Sequence, residues 1–207
     1  EINGYDVTIV ADGEIYMPQN SSGLFEYCGY NENLPEYIVN LTGLNASKVS
    51  NMFNTFCDFG YYSMTSLELG ESFYTSNVAI MEGMFARCGY TSMVTLDLGN
   101  CFDTSNVTDM QSMFASCGYI SMSNLNLGNS FDTSNVINMK SMFQQCGYFS
   151  LITLDLGNNF NTSNVITMYH MFCDCGYTSM LELKLGDKFD TSNVTNMEAI
   201  FARCGYM

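Results

Sequence analysis

The chain has 207 residues, with 6 Lys and Arg against 21 Asp and Glu, for a formal net charge of −15 at pH 7. That length bounds it to one or two domains with a real core, and 47% hydrophobic residues exclude a disordered acidic tail. A pI near 4.1 argues against nucleic acid, because so few cations cannot neutralise a row of phosphates, and against docking on an anionic membrane. No apolar run approaches the ~18 residues of a spanning helix. The chain opens at Glu1 without an initiator Met, so it is expected either to have lost a leader or to be a fragment. The odd count of 9 Cys prevents a closed disulfide set within one chain.

Residues 1–44 carry seven acidic residues and no basic one. Within them Leu24-Phe25-Glu26-Tyr27-Cys28-Gly29-Tyr30 echoes a motif that returns throughout the chain, with a two-residue insertion before the next unit. A polar, atypical first coil is what a repeat stack needs at its open end, so 1–44 reads as an N-terminal cap with a degenerate half-repeat. From residue 45 the chain repeats. Thr-Ser-Asn-Val recurs from Thr75, Thr104, Thr133, Thr162 and Thr191, and Cys-Gly-Tyr from Cys88, Cys117, Cys146, Cys175 and Cys204, each with a step of 29. Five units span 45–73, 74–102, 103–131, 132–160 and 161–189, and a truncated sixth spans 190–207.

Each unit holds two periods. Leu125 and Leu127 alternate with outward Asn124 and Asn126, the pattern of a short strand with one buried face. Val107, Met110, Phe114 and Cys117 fall at helical spacing after an Asp-Thr-Ser-Asn stretch suited to turns and N-caps. This predicts a helix of about two turns ended by Gly118, although Val107–Met110 also fits an extended segment. No coil buries its apolar stripe alone, so the coils must stack. The expected fold is an α/β repeat solenoid: a leucine-rich-repeat-like right-handed coil with a parallel β-sheet on one face and short helical segments or short strands on the other.

Asp103-Thr-Ser-Asn-Val-Thr-Asp-Met110 and Asp190-Thr-Ser-Asn-Val-Thr-Asn-Met197, with the Leu-x-x-Leu-x-Leu strand, carry a resemblance. The string resembles the BspA-like leucine-rich repeat surface proteins, over roughly residues 45–207. The resemblance implies a secreted or cell-surface protein used in adhesion and binding, and it supplies no catalytic residues. The period of 29 departs from the family's mid-twenties through an added Gly-Tyr-x-Ser-Met.

The chemistry-bearing residues mostly have structural readings. The Cys88, Cys117, Cys146, Cys175 and Cys204 ladder lies on the core stripe, and Phe59 takes its slot in one unit, so these are expected to be free buried thiols. Of the off-ladder Cys57, Cys101 and Cys173, Cys101 should be the most exposed. His170-x-x-Cys173-x-Cys175 has a metal-like look, but its slot neighbours Ser141, Gln144 and Cys146 argue for drift. The Thr-Ser-Asn ladder suggests ice or calcium binding, yet fits better as turn chemistry with Asn side chains bonding backbone between coils. No cofactor, metal or catalytic residue is expected, because every slot is reiterated and catalysis needs one convergent site.

What varies between units is the strand face. The outward column Asp97, Asn126, Asp155 and Lys184, with Ile120, Phe149 and Ile152 at its edge, is the candidate partner-binding surface. Gln144, Gln145, Ser116 and Arg87 leave the other side without a comparable patch. The expected function is a non-enzymatic binding or adhesion module. Its partner would be a host or neighbouring-cell protein or glycan, without nucleic acid or membrane insertion, with self-association through open coil ends as a further expectation. The alternative is a structural spacer or assembly protein without a small ligand.

Overall fold

The computed structural model describes residues 14–206, which form a parallel β-solenoid of about six turns. The strands are β1 (Ile15–Tyr16), β2 (Tyr37–Asn40), β3 (Leu44–Asn45), β4 (Met64–Glu68), β5 (Thr95–Asp97), β6 (Asn124–Asn126), β7 (Thr153–Asp155) and β8 (Glu182–Lys184). β1 pairs with β3; β2, β4, β5 and β6 form one parallel sheet, and β7 and β8 form another. Register follows the repeat, with Leu67 beside Leu96, Leu96 beside Leu125, and Leu154 beside Leu183. On the opposite side, single-residue parallel bridges join Asn51, Ile80, Asp109, Asn138, Thr167 and Asn196 in succession.

The core lies between these two sides. Leu96, Leu98, Phe102, Val107, Met110, Phe114 and Cys117 are all buried. Stacking at the coil spacing lines identical side chains into columns. Phe25, Phe56, Phe85, Phe114, Phe143, Phe172 and Phe201 form a continuous ring stack with centroids 5.3–5.6 Å apart. Offset ring stacking adds to the area each ring buries.

The expected helix is absent: the described residues contain no helix at all. Ser112, Ser116 and Gly118 have φ of 55°, 53° and 52°, all left-handed, and a right-handed helix cannot contain such residues. From Met110 to Cys117 the N–H groups instead alternate in direction. Those of Met110, Ser112, Phe114 and Ser116 donate to carbonyls of Asn138, Lys140, Met142 and Gln144 on the next coil, while Met113, Ala115 and Cys117 close tight turns onto Met110, Ser112 and Phe114. Left-handed residues recur every four positions, so the buried stripe falls at steps of three and four and imitates helical spacing. Gly118 is obligatory, since a Cβ there would lie 2.3 Å from the Met122 Cβ.

The Thr-Ser-Asn turn is wired between coils. The Oγ of the buried Thr75, Thr104, Thr133 and Thr162 donates to the carbonyls of Asp103, Asp132, Asn161 and Asp190 at 2.7–2.8 Å. In the other direction, Asn77, Asn106, Asn135, Asn164 and Asn193 donate from Nδ2 to Ser47, Ser76, Ser105, Ser134 and Ser163 at 2.7–2.8 Å. The Asn ladder therefore bonds backbone, as its turn chemistry predicts. Because the Thr column is buried, it presents no flat face to solvent.

Candidate binding face

The outward column begins at Asn40 and continues through Glu68, Asp97 and Asn126 in register, then through Asp155 and Lys184. Each member is tied to a neighbour. Asn40 Nδ2 donates to Glu68 at 3.0 Å, Asn126 Nδ2 to Asp97 at 3.1 Å, and Lys184 Nζ lies 3.5 Å from Asp155. Asp97, Asn126 and Asp155 also accept, through Oδ1, the N–H of Gly99, Gly128 and Gly157 at 2.9–3.1 Å. These glycines have φ of 70–77°, so each Asx side chain fixes a left-handed turn at the end of its strand. Sequence reasoning took these residues as free ligand-facing groups and missed this task. The signal was present in the recurring Asp/Asn-Leu-Gly tripeptide.

Beside the column the candidate apolar residues are exposed, Ile120 at 37%, Phe149 at 47% and Ile152 at 50%. Val94 and Leu181, in the same slot as Ile152, are exposed as well and extend the strip. Phe149 stands edge-on against Tyr119 and Tyr148, with centroids 5.5 and 4.7 Å away. Those tyrosines belong to a second stack of Tyr30, Tyr61, Tyr90, Tyr119, Tyr148, Tyr177 and Tyr206 at 4.6–5.6 Å. Burial, then the neighbouring phenols, pushes the Tyr61 hydroxyl up to about 12. The tyrosine stack thus backs an exposed aromatic and aliphatic strip.

The turn side is not featureless. Ile137 and Ile166 are exposed there and, with Thr108 and the Asn ladder, line a shallow groove of about 510 Å³. The expectation that this side lacks an apolar patch fails, because it weighed Gln144, Gln145, Ser116 and Arg87 and not the slot after each inward Val. Sequence reasoning also missed two ion pairs: Arg87 binds the buried Asp58, and Arg203 binds the buried Asp174 at 2.8 Å. Each Arg occupies the slot of an Asp one unit earlier, a regularity visible in the repeat. Cys57 and Cys173 Sγ donate to these same carboxylates at 3.5 Å.

All nine cysteines are free: Cys88, Cys117, Cys146 and Cys175 are buried, Cys204 and Cys101 half-buried, and Cys28 exposed. Burial, then the Asp58 charge, raises the Cys57 thiol to about 12. His170 stacks on Tyr169 with centroids 4.0 Å apart. Among the described residues, no three His, Cys, Asp or Glu side chains group to hold a metal ion.

Two overlapping stretches, 22–150 and 91–207, match the family described as Mycoplasma protein of unknown function, DUF285. The chain belongs to this family. Overlapping matches on one DUF285 chain are what a stack of near-identical coils produces. No curated protein and no solved structure matches it. Among the described residues of this DUF285 chain, no helix is long and apolar enough to cross a membrane.

Proposed function

We propose that this DUF285 chain is a non-enzymatic, surface-displayed binding or adhesion module of the BspA-like leucine-rich-repeat type, coiled right-handedly, that engages a protein or glycan through its strand face. The observation that carries this reading is the exposed strip of Val94, Ile120, Phe149, Ile152 and Leu181 on the strand side, bordered by an acidic and amide column. An apolar centre with a polar rim has the anatomy of an interaction surface. The reiterated slots supply no single convergent constellation for catalysis. Display at a surface rests on the resemblance of the repeat. An array of proteins and glycans, probed with the chain and with Phe149→Ala, Ile152→Ala, tests the proposal. Hits should weaken by more than about tenfold in the double variant. Hits that survive it and disappear in Ile137→Ala, Ile166→Ala would place the binding side on the turn groove and overturn the strand-face reading.

A further inference from the structure

The turn side carries a docking geometry of its own. In each coil an Asn and the residue two places on stand outward around a buried Val, as Asn106 and Thr108 do around Val107. Bonds between coils fix both columns. Thr108, Ile137 and Ile166 donate from N–H to the carbonyls of Ala79, Thr108 and Ile137, while Asn106, Asn135 and Asn164 donate from Nδ2 to those of Ser76, Ser105 and Ser134. Each ladder bond uses one of the two amide hydrogens of its Asn. Among the described residues, no group of the chain donates to Oδ1 of Asn106, Asn135 or Asn164. Three exposed amides are therefore held in register ~4.8 Å apart, each with a donor and an acceptor to spare.

The fold does not require isoleucine beside these amides. The slot holds Ser50, Ala79, Thr108 and Thr195 in other coils, so packing accepts small or polar side chains there. Ile137 and Ile166 nevertheless fill it in successive coils, 50% and 44% exposed. With Thr108 and the three Asn they line the groove of about 510 Å³. No charged side chain lines it, although the chain carries 21 acidic and 6 basic residues. The N–H and C=O groups of Thr108, Ile137 and Ile166 are already bonded between coils, so a peptide strand finds no ladder edge here. We propose that the turn groove is a second binding site, and that its ligand is an uncharged linear polysaccharide lying along the solenoid axis. A sugar ring has hydroxyls that both donate and accept, to meet the Asn amides, and C–H faces to lie on Ile137 and Ile166. A polymer of such rings meets equivalent groups coil after coil, which a single sugar in a shallow groove does not. The net charge of −15 disfavours acidic polysaccharides. This site is separate from the strand face and does not rest on that reading.

Affinity electrophoresis and calorimetry on the whole chain test it, with soluble glucans, mannans, xylans, galactans and chitin oligomers as probes and heparin as the acidic control. At least one neutral polysaccharide should bind, and heparin should not. Ile137→Thr with Ile166→Thr, the side chain that Thr108 and Thr195 already place in this slot, should weaken binding about tenfold or more without lowering the melting temperature. Asn135→Ala should weaken it comparably. Asn77→Ala breaks the same kind of ladder bond outside the groove, to Ser47, and should lower the melting temperature as much while leaving binding intact. Equal loss of binding in the two Asn variants, binding that survives the Ile variants, heparin held in the same groove, or no neutral polysaccharide bound each overturn the proposal. A polysaccharide lost only with Phe149→Ala, Ile152→Ala overturns the groove and leaves the strand face standing. Ligands that all depend on the groove keep it and overturn the strand face, and ligands divided between the two sides keep both.

Discussion

A left-handed conformation at a residue other than glycine costs ~1–2 kcal/mol, and most coils carry it at two such slots. One slot holds Asn54, Ser112, Ser141, His170 and Ala199, with Gly23 and Gly83 the relieved cases. Its tolerance of unrelated side chains shows that the backbone is held by inter-coil bonds and not by local preference. Ser112→Gly should therefore raise stability by ~0.5–1 kcal/mol in urea unfolding, the left-handed strain removed less the added freedom of the unfolded chain. Gly118→Ala should lower it by more than about 2 kcal/mol, because Met122 must also move. A neutral Gly118→Ala would mean that the turn backbone is not held where the bonds place it. The thiols belong to the same scale. Folded-state pKa values raised chiefly by burial leave Cys57, Cys88 and Cys117 with almost no thiolate at pH 8. Alkylation should label Cys28 first and Cys101 next, with Cys88, Cys117, Cys146 and Cys175 reacting only on unfolding. Early labelling of Cys117, read by mass spectrometry, would show a core that opens without unfolding.

At the scale of the element, strand, turn and return loop depend on side chains that look free in the sequence. Asp155→Ala removes the acceptor for Gly157 N–H and should cost ~1 kcal/mol, whereas Asp155→Asn keeps an Oδ1 and should be close to neutral in thermal unfolding. If both variants lose the same amount, the Lys184 contact and not the turn is what matters. For this reason the strand face is better tested at Phe149 and Ile152 than at Asp155. The strand was legible in the sequence because period two has one structural meaning, and Leu125 and Leu127 are buried as that period requires. The turn segment was misread because steps of three and four also arise from left-handed residues four apart. Nothing in Ser112 or Ser116 advertises that conformation, since it is imposed by stacking. The exposure of Ile120, Phe149 and Ile152 was legible in the sequence. The ties that hold Asp97, Asn126 and Asp155 and the ion pairs needed three-dimensional neighbours.

For the whole molecule, stacking identical slots also stacks identical charges. Glu68 and Asp97 stand side by side on neighbouring strands, both exposed, and the chain carries −15 in all. Like charges directly opposite on a sheet are destabilising, and a solenoid repeats its neighbours along one axis, so each coil interface carries its own share. The pairs Arg87–Asp58 and Arg203–Asp174 oppose this locally, but their carboxylates are buried and little screened. The remaining acidic groups are mostly surface groups, whose repulsion weakens as the Debye length falls from ~30 Å at 0.01 M salt to ~8 Å at 0.15 M. Raising NaCl over that range should therefore raise the melting temperature by a few degrees, in contrast to a fold held by surface salt bridges. Binding of a cationic partner would respond in the opposite sense, because its attraction to the same acidic column is screened with it, chiefly through slower association. Measured together by calorimetry and binding kinetics, the two trends should diverge. A melting temperature that falls with salt would show that paired charges, and not the repulsion of the acidic columns, set the stability of the stack.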